Sequence, residues 1–145
     1  MMEIKILCLA DINDQIAEEI AALFKQLSPQ KKQLPLTEIL KDENPISFVY
    51  CLIDQHVAGI ASICTYQVIS GSKGWIEDVV VNEQYRGRGI GKKLIEKILE
   101  IGHQKKLKEI LLYTEDHREA ALNLYQGMGF QAKESKIYYI KNEQV

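Results

Sequence analysis

Trp75-Ile76-Glu77-Asp78-Val79-Val80-Val81-Asn82-Glu83-Gln84-Tyr85-Arg86-Gly87-Arg88-Gly89-Ile90-Gly91 is the stretch from which the fold is read. Ile76 to Val81 is a short β-branched run broken by two adjacent carboxylates, Glu77 and Asp78. Such a composition favours a strand. Asn82 to Tyr85 is polar and turn-like. Arg86 to Gly91 is glycine-rich and opens a segment in which Ile90, Leu94, Ile98 and Ile101 recur at helical spacing. A strand, a glycine loop and a helix start, in that order, make an anion site. The first helical turn has unpaired N–H groups and the positive end of the macrodipole. Glycines let successive N–H groups close round a phosphate.

The spacing narrows the ligand. A dinucleotide fingerprint needs G-x-G-x-x-G, whereas Gly87, Gly89 and Gly91 are spaced G-x-G-x-G. A mononucleotide P-loop needs Ser or Thr after its Lys, whereas Lys92 is followed by Lys93. What remains is R-x-x-G-x-G, Arg86 to Gly91, after an apolar strand. Its plainer alternative is a glycine turn before an ordinary helix.

Working outward, the 145 residues are expected to form one domain, 1–145, large enough to bury a core. Net charge is −2, so no overall field draws the chain to nucleic acid. Arg86, Arg88, Lys92 and Lys93 form a local basic patch, suited to a phosphorylated ligand. Cys8, Cys51 and Cys64 sit in or beside apolar runs without a C-x-x-C pair and are expected as buried, reduced thiols. His56, His103 and His117 are scattered without ligand spacing, so no metal is expected. Neither an apolar signal segment nor a membrane-spanning run is visible, which points to a cytoplasmic protein with no membrane partner.

Glu3 to Leu9 reads as a first strand. A helix carrying Ile16, Ile20, Leu23, Phe24 and Leu27 follows, capped by Asp11 or Asn13. Thr37 is placed as the cap of a short second helix ending near Leu40. Ser47–Ile53 and Val57–Ile69 form a hairpin, with Gly59 marking a bulge, and a turn at Gly71–Gly74 leads into the strand bearing Glu77. After the helix from Gly89 to about Lys105 come a strand, Glu109–Tyr113, and a helix, Arg118–Met128, preceded by Asp116 or Thr114. Phe130–Lys133 and Lys136–Ile140 read as a closing pair of strands. The fold class is therefore α/β: a mixed sheet with an antiparallel meander, one right-handed βαβ crossover and a C-terminal strand pair.

A second motif supports the first. Ala121-Leu122-Asn123-Leu124-Tyr125-Gln126-Gly127-Met128-Gly129-Phe130 resembles the A-x-x-L-Y-x-x-x-G-F block of the GNAT N-acetyltransferases, and Arg86–Gly91 resembles their pyrophosphate loop. Together the two blocks span roughly Trp75 to Phe130. Ile76 to Val81 looks most like the glucosamine-6-phosphate N-acetyltransferases, and similar Glu-Asp pairs occur in diamine acetyltransferases. The block His117-Arg118-Glu119-Ala120-Ala121 looks more like uncharacterised bacterial members. Many relatives carry Asn where this chain has Arg118.

The resemblance implies acetyl transfer from acetyl-CoA to the primary amine of a small molecule, such as an amino sugar or a polyamine. It implies that Arg86, Gly87, Arg88, Gly89, Ile90, Gly91 and Lys92 hold the pyrophosphate, and that the backbone of Val79 and Val81 pairs with the pantetheine amides. An ammonium of pKa near 10.4 is only about 0.1% neutral at pH 7, a cost of about 4–5 kcal/mol. Glu77 and Asp78 are the candidate bases. Neighbouring strand residues face opposite ways, so both reach one amine only if the strand is bulged or twisted there. Tyr125 is the candidate donor to the departing sulfur. The plainer roles are an ion pair for each carboxylate and core packing for Tyr125. Pairing of two copies into a homodimer stays open. A non-catalytic acyl-CoA sensor is the competing class; it would keep the loop but need neither Tyr125 nor the carboxylates.

Overall fold

The computed structural model describes residues 1–115 and 117–142, so Asp116 lies outside the described residues. The chain forms two compact units, Met1–Tyr113 and Thr114–Val145. The first is built on a five-stranded sheet with strands in sequence order, β1 to β5. β1 (Met2–Ile6), β2 (Ile46–Ile53), β3 (His56–Val68) and β4 (Gly71–Val81) are antiparallel neighbours. β5 (Glu109–Leu112) runs parallel to β4, across helix α3 (Ile90–Gln104). A parallel neighbour needs such a crossover. The meander and the βαβ unit are therefore as expected.

One face of this sheet carries α1 (Asp14–Leu27), begun by Asn13, whose Oδ1 accepts from the Ile16 N–H at 2.8 Å. Asp11 instead accepts from the Cys8 N–H at 3.1 Å. Ile20 and Leu23 of α1 pack with Phe48, Tyr50, Ile60 and Val80. Glu19 ties α1 to the start of β3: its carboxylate accepts from the Val57 N–H and meets His56 Nδ1, both at 2.8 Å. Around α3 the chain buries Ile90, Leu94, Ile95, Ile98 and Ile101. Gly59 allows α3 to approach, because a Cβ there would meet Ile90 Cγ2 at 2.9 Å and Leu94 Cδ1 at 3.0 Å. The bulge expected at Gly59 lies one residue away. Cys51 pairs with Gly59 and Leu52 with Val57, which leaves Ala58 as the extra residue.

The second unit holds α4 (Glu119–Gly127). Three expectations are corrected. The short helix α2 (Leu36–Ile39) starts directly after Pro35, so Thr37 lies inside it rather than capping it. Cys8 is exposed, because it leads a 3-10 turn at Leu9–Asp11, while Cys51 is buried and Cys64 half-buried. The described residues 130–142 contain no strand. Ile137, Tyr138, Tyr139 and Ile140 are 58–94% exposed. Their β-rich pattern supplies propensity alone, and a strand also needs a partner to take its backbone hydrogen bonds. Among the described residues no helix is long and apolar enough to cross a membrane.

Candidate active site

The site begins with a defect in the ladder between β3 and β4. Ile60 pairs with Val80, but Ser62 pairs with Glu77. Ala61 alone therefore opposes two residues, Asp78 and Val79, which is a β-bulge. Asp78 sits at φ +52°, in the left-handed region, where Asp is among the few non-glycine residues found with any frequency. The extra residue shifts the alternation. Glu77 shares a face with Ser62, and Val80 shares that same face with Ile60, three positions along β4 instead of two or four. The condition set by the sequence for two adjacent carboxylates to serve one point, a bulge between them and the rest of the strand, is present at Asp78.

Glu77 and Asp78 are exposed, yet both carboxyl groups are raised from their ordinary values. For each, desolvation by the surrounding protein is the first cause. The charge of Asp78 raises Glu77 further, and Lys31, in the connection between α1 and α2, opposes the shift on both. Cys64, half-buried on β3, is in turn pushed up by burial first and then by the two carboxylates. Lys31 and Cys64 carry no sequence signal that would attach them to this point. The local sign is acidic, with one lysine against two carboxylates, which suits a cationic ligand.

Pairing between β4 and β5 stops at Ile76 with Leu112. Beyond it, β4 runs on to Val81 bonded to β3 alone in this sheet, so the stretch bearing Val79 and Val81 has lost its β5 partner. Asn82 continues the chain, donating its N–H to Ala58 O at 2.8 Å, and Asn82 Oδ1 accepts from the Gln84 N–H at 3.0 Å. A 3-10 turn at Glu83–Tyr85 follows, and the Arg88 guanidinium lies 5.3 Å from the Tyr85 ring centroid.

Gly87 and Gly89 have φ +83° and +75°, and a Cβ built on either would meet nothing within 4 Å. Both are needed for backbone conformation and both leave open space in front of the backbone. Gly89 caps α3 without a side chain, and the first helical bond is from the Lys93 N–H to Gly89 O at 3.1 Å. The N–H groups of Ile90, Gly91 and Lys92 thus have no intrahelical acceptor. Arg86, Arg88 and Lys92 are exposed beside them. This open, donor-rich cradle fits a pyrophosphate.

Tyr125 belongs to the second unit. It lies on α4, 8% exposed, with its ring edge-on to Phe130 at 5.8 Å between centroids. Burial raises its phenol above the ordinary tyrosine value, against a smaller lowering by Arg118. Arg118 itself is exposed at the N-cap of α4. Trp75 is half-buried and Tyr113 exposed.

Comparison with known proteins bears on the family and the fold. The family described as "Acetyltransferase (GNAT) family" matches residues 13–130. The N-alpha-acetyltransferase 30 of Saccharomyces cerevisiae is 42% identical over 71 residues, 49% of this chain and 40% of that protein. The glucosamine 6-phosphate N-acetyltransferase of Trypanosoma brucei brucei is 42% identical over 64 residues, 44% of this chain and 42% of that protein. In both cases the match spans well under two thirds of the relative's length. The crystal structure of a Trypanosoma brucei acetyltransferase superposes with a TM-score of 0.79 over 97% of this chain and 100% of that one, at 24% sequence identity. At that identity the likeness speaks to the fold alone.

Proposed function

Because the chain belongs to the acetyltransferase (GNAT) family, we propose that it transfers the acetyl group of acetyl-CoA to the primary amine of a small molecule, an amino sugar, a polyamine or similar. The observation that carries this reading is the coincidence of three features on one run of chain. A bulge presents two carboxylates, the strand beyond it lacks its β5 partner, and the helix that follows opens on unpaired N–H groups. Relatives by name act on amines of several kinds, glucosamine 6-phosphate among them.

In this reading the N–H groups of residues 90–92 and the side chains of Arg86, Arg88 and Lys92 take the pyrophosphate, with Gly87 and Gly89 keeping its path open. The backbone of Val79 and Val81 pairs with the pantetheine arm as an added strand. Asp78 attracts the incoming ammonium. Glu77, directly or through a water, accepts the proton that frees the nitrogen lone pair. The C–N bond then forms as the C–S bond breaks, and the sulfur receives a proton from the Tyr125 phenol, which is protonated at neutral pH like any tyrosine and whose pKa burial raises further. The acylated nitrogen gives its second proton, and Glu77 its captured one, to bulk solvent, which returns one to the tyrosine, so a single proton is released overall. The raised carboxylate values bring the base nearer to working pH, where a general base is more effective.

The test is a screen for thiol release from acetyl-CoA across amino sugars, polyamines, amino acids and peptide N-termini. Turnover with one amine class supports the proposal and names the acceptor. CoA binding without turnover on any amine would favour an acyl-CoA sensor.

A further inference from the structure

Ser62 is the one buried residue of the described chain, tyrosines and cysteines aside, whose side chain is polar; it is 3% exposed. It stands in the middle of β3 between Ala61 and Ile63, which are 1% and 0% exposed. Its face of the sheet is the one that carries Phe48, its partner on β2, and Ile60, both packed with α1. An apolar side chain would suit that position for packing alone, and a buried hydroxyl is costly unless it is bonded. The Ser62 hydroxyl is bonded: Oγ donates to the Glu77 carbonyl at 3.2 Å. Glu77 is its ladder partner and the residue immediately before the bulged Asp78.

We propose that Ser62 is a positioning residue for the amine site, holding the Glu77 carbonyl so that the chain turns at Asp78 and both carboxylates are presented towards one acceptor. The inference rests on the functional reading above for its catalytic meaning, but the anchoring of the bulge stands on the geometry alone. A bulge interrupts the ladder and could relax by slipping one residue in register. Such a slip would bring Asp78 opposite Ser62 and turn Glu77 to the α3 face. The Ser62–Glu77 bond ties the side chain of one strand to the backbone of the other at the last regular pair before the bulge. It thereby favours the bulged register over the slipped one. The groups facing the two carboxylates are each other, Lys31 from the connection between α1 and α2, and Cys64 from β3. A change in the bulge therefore alters what each carboxylate meets.

Ser62→Thr and Ser62→Val differ by little more than the hydroxyl, so comparing them separates the bond from the packing. Carbon-13 NMR of the Glu77 and Asp78 carboxyl groups gives their titration midpoints without any acceptor, and the Asp78 N–H to Hα coupling reports its φ. The expected result is wild-type coupling and midpoints in Ser62→Thr, with both altered in Ser62→Val. With an acceptor in hand, kcat/KM for the amine should fall about 3- to 10-fold in Ser62→Val, as for one lost hydrogen bond, while acetyl-CoA affinity holds. Ser62→Ala gives the same comparison against wild type if the valine variant does not fold. Unchanged Asp78 coupling and carboxyl midpoints in folded Ser62→Val or Ser62→Ala would overturn the proposal. Altered midpoints with no amine turned over by the wild type would uphold Ser62 as the anchor and count against the acetyltransferase reading instead.

Discussion

Glu77 and Val80 lie on the same face of the sheet, three positions apart on one strand, because Asp78 is the extra residue between them. Val80 points into the core with Ile60, and Glu77 stands over the same face with its carboxylate open to solvent. An unbroken strand would send one of the two to the opposite side. The bulge thus lets a buried anchor and an exposed acid share a face, and its own residue is a second acid.

The bulge depends on a backbone conformation that few side chains accept. Asp78→Gly should fold as well as the wild type, since φ +52° costs glycine nothing. Asp78→Val should lose about 1–2 kcal/mol or more, because a β-branched residue is strained in the left-handed region. Urea unfolding of the two variants checks this, and equal midpoints would mean that the turn at residue 78 is not maintained in solution.

The carboxylates also make a prediction about stability. A carboxyl group whose folded pKa lies above its unfolded value binds more protons in the folded state across the window between the two. Stability therefore falls as pH rises through that window. Asp78→Asn removes this loss, and Asn also tolerates positive φ. The variant should melt higher than wild type at pH 7, and the difference should vanish once the pH falls below the ordinary aspartate range. The shift should be small, because Asp78 is exposed and water screens it. Thermal melts at several pH values measure it.

At the loop, Gly89→Val is expected to weaken acetyl-CoA binding far more than it weakens the fold. The new side chain would meet no protein atom within 4 Å of its Cβ, so its clash is reserved for the ligand, and φ +75° adds a strain of about 1–2 kcal/mol. Calorimetric titration with CoA, alongside circular dichroism, separates the two effects. Wild-type affinity in the folded variant would remove the loop from the binding site.

Tyr125→Phe should lower kcat while leaving acetyl-CoA affinity nearly unchanged. The phenol matters only as charge develops on sulfur, so its loss belongs to the transition state. Because burial raises its pKa, the tyrosine-dependent part of the rate should persist to pH values at which an ordinary tyrosine would have ionised. Wild-type turnover in the variant would make Tyr125 a packing residue, consistent with its edge-on contact to Phe130.

How much of this was legible in the sequence varies with the reach of each interaction. The strand at Ile76–Val81, the loop and α3 are set by local signals: β-branched residues, glycines and helical spacing. Even the need for a bulge followed from two adjacent acids on one strand. Its location and its anchor did not, since at the bulge the facing residues of β3 and β4 lie 15 or more positions apart in the sequence. Ser62 did leave a trace, as a lone hydroxyl in the apolar run from Val57 to Cys64. Lys31 left none, because a loop lysine is polar for many reasons. The expected strands at 130–140 failed for the opposite cause: Ile137 to Ile140 have the propensity, and propensity does not provide a neighbour.

The most direct test of the account is the pH dependence of thiol release from acetyl-CoA, measured for wild type and Glu77→Gln with the best amine from the screen. If Glu77 is the base, the variant should be slower by about 10²–10⁴-fold at neutral pH. It should regain part of that rate as the pH rises, because more of the amine then arrives neutral. A Glu77→Gln profile that superimposes on the wild type at every pH would contradict the account.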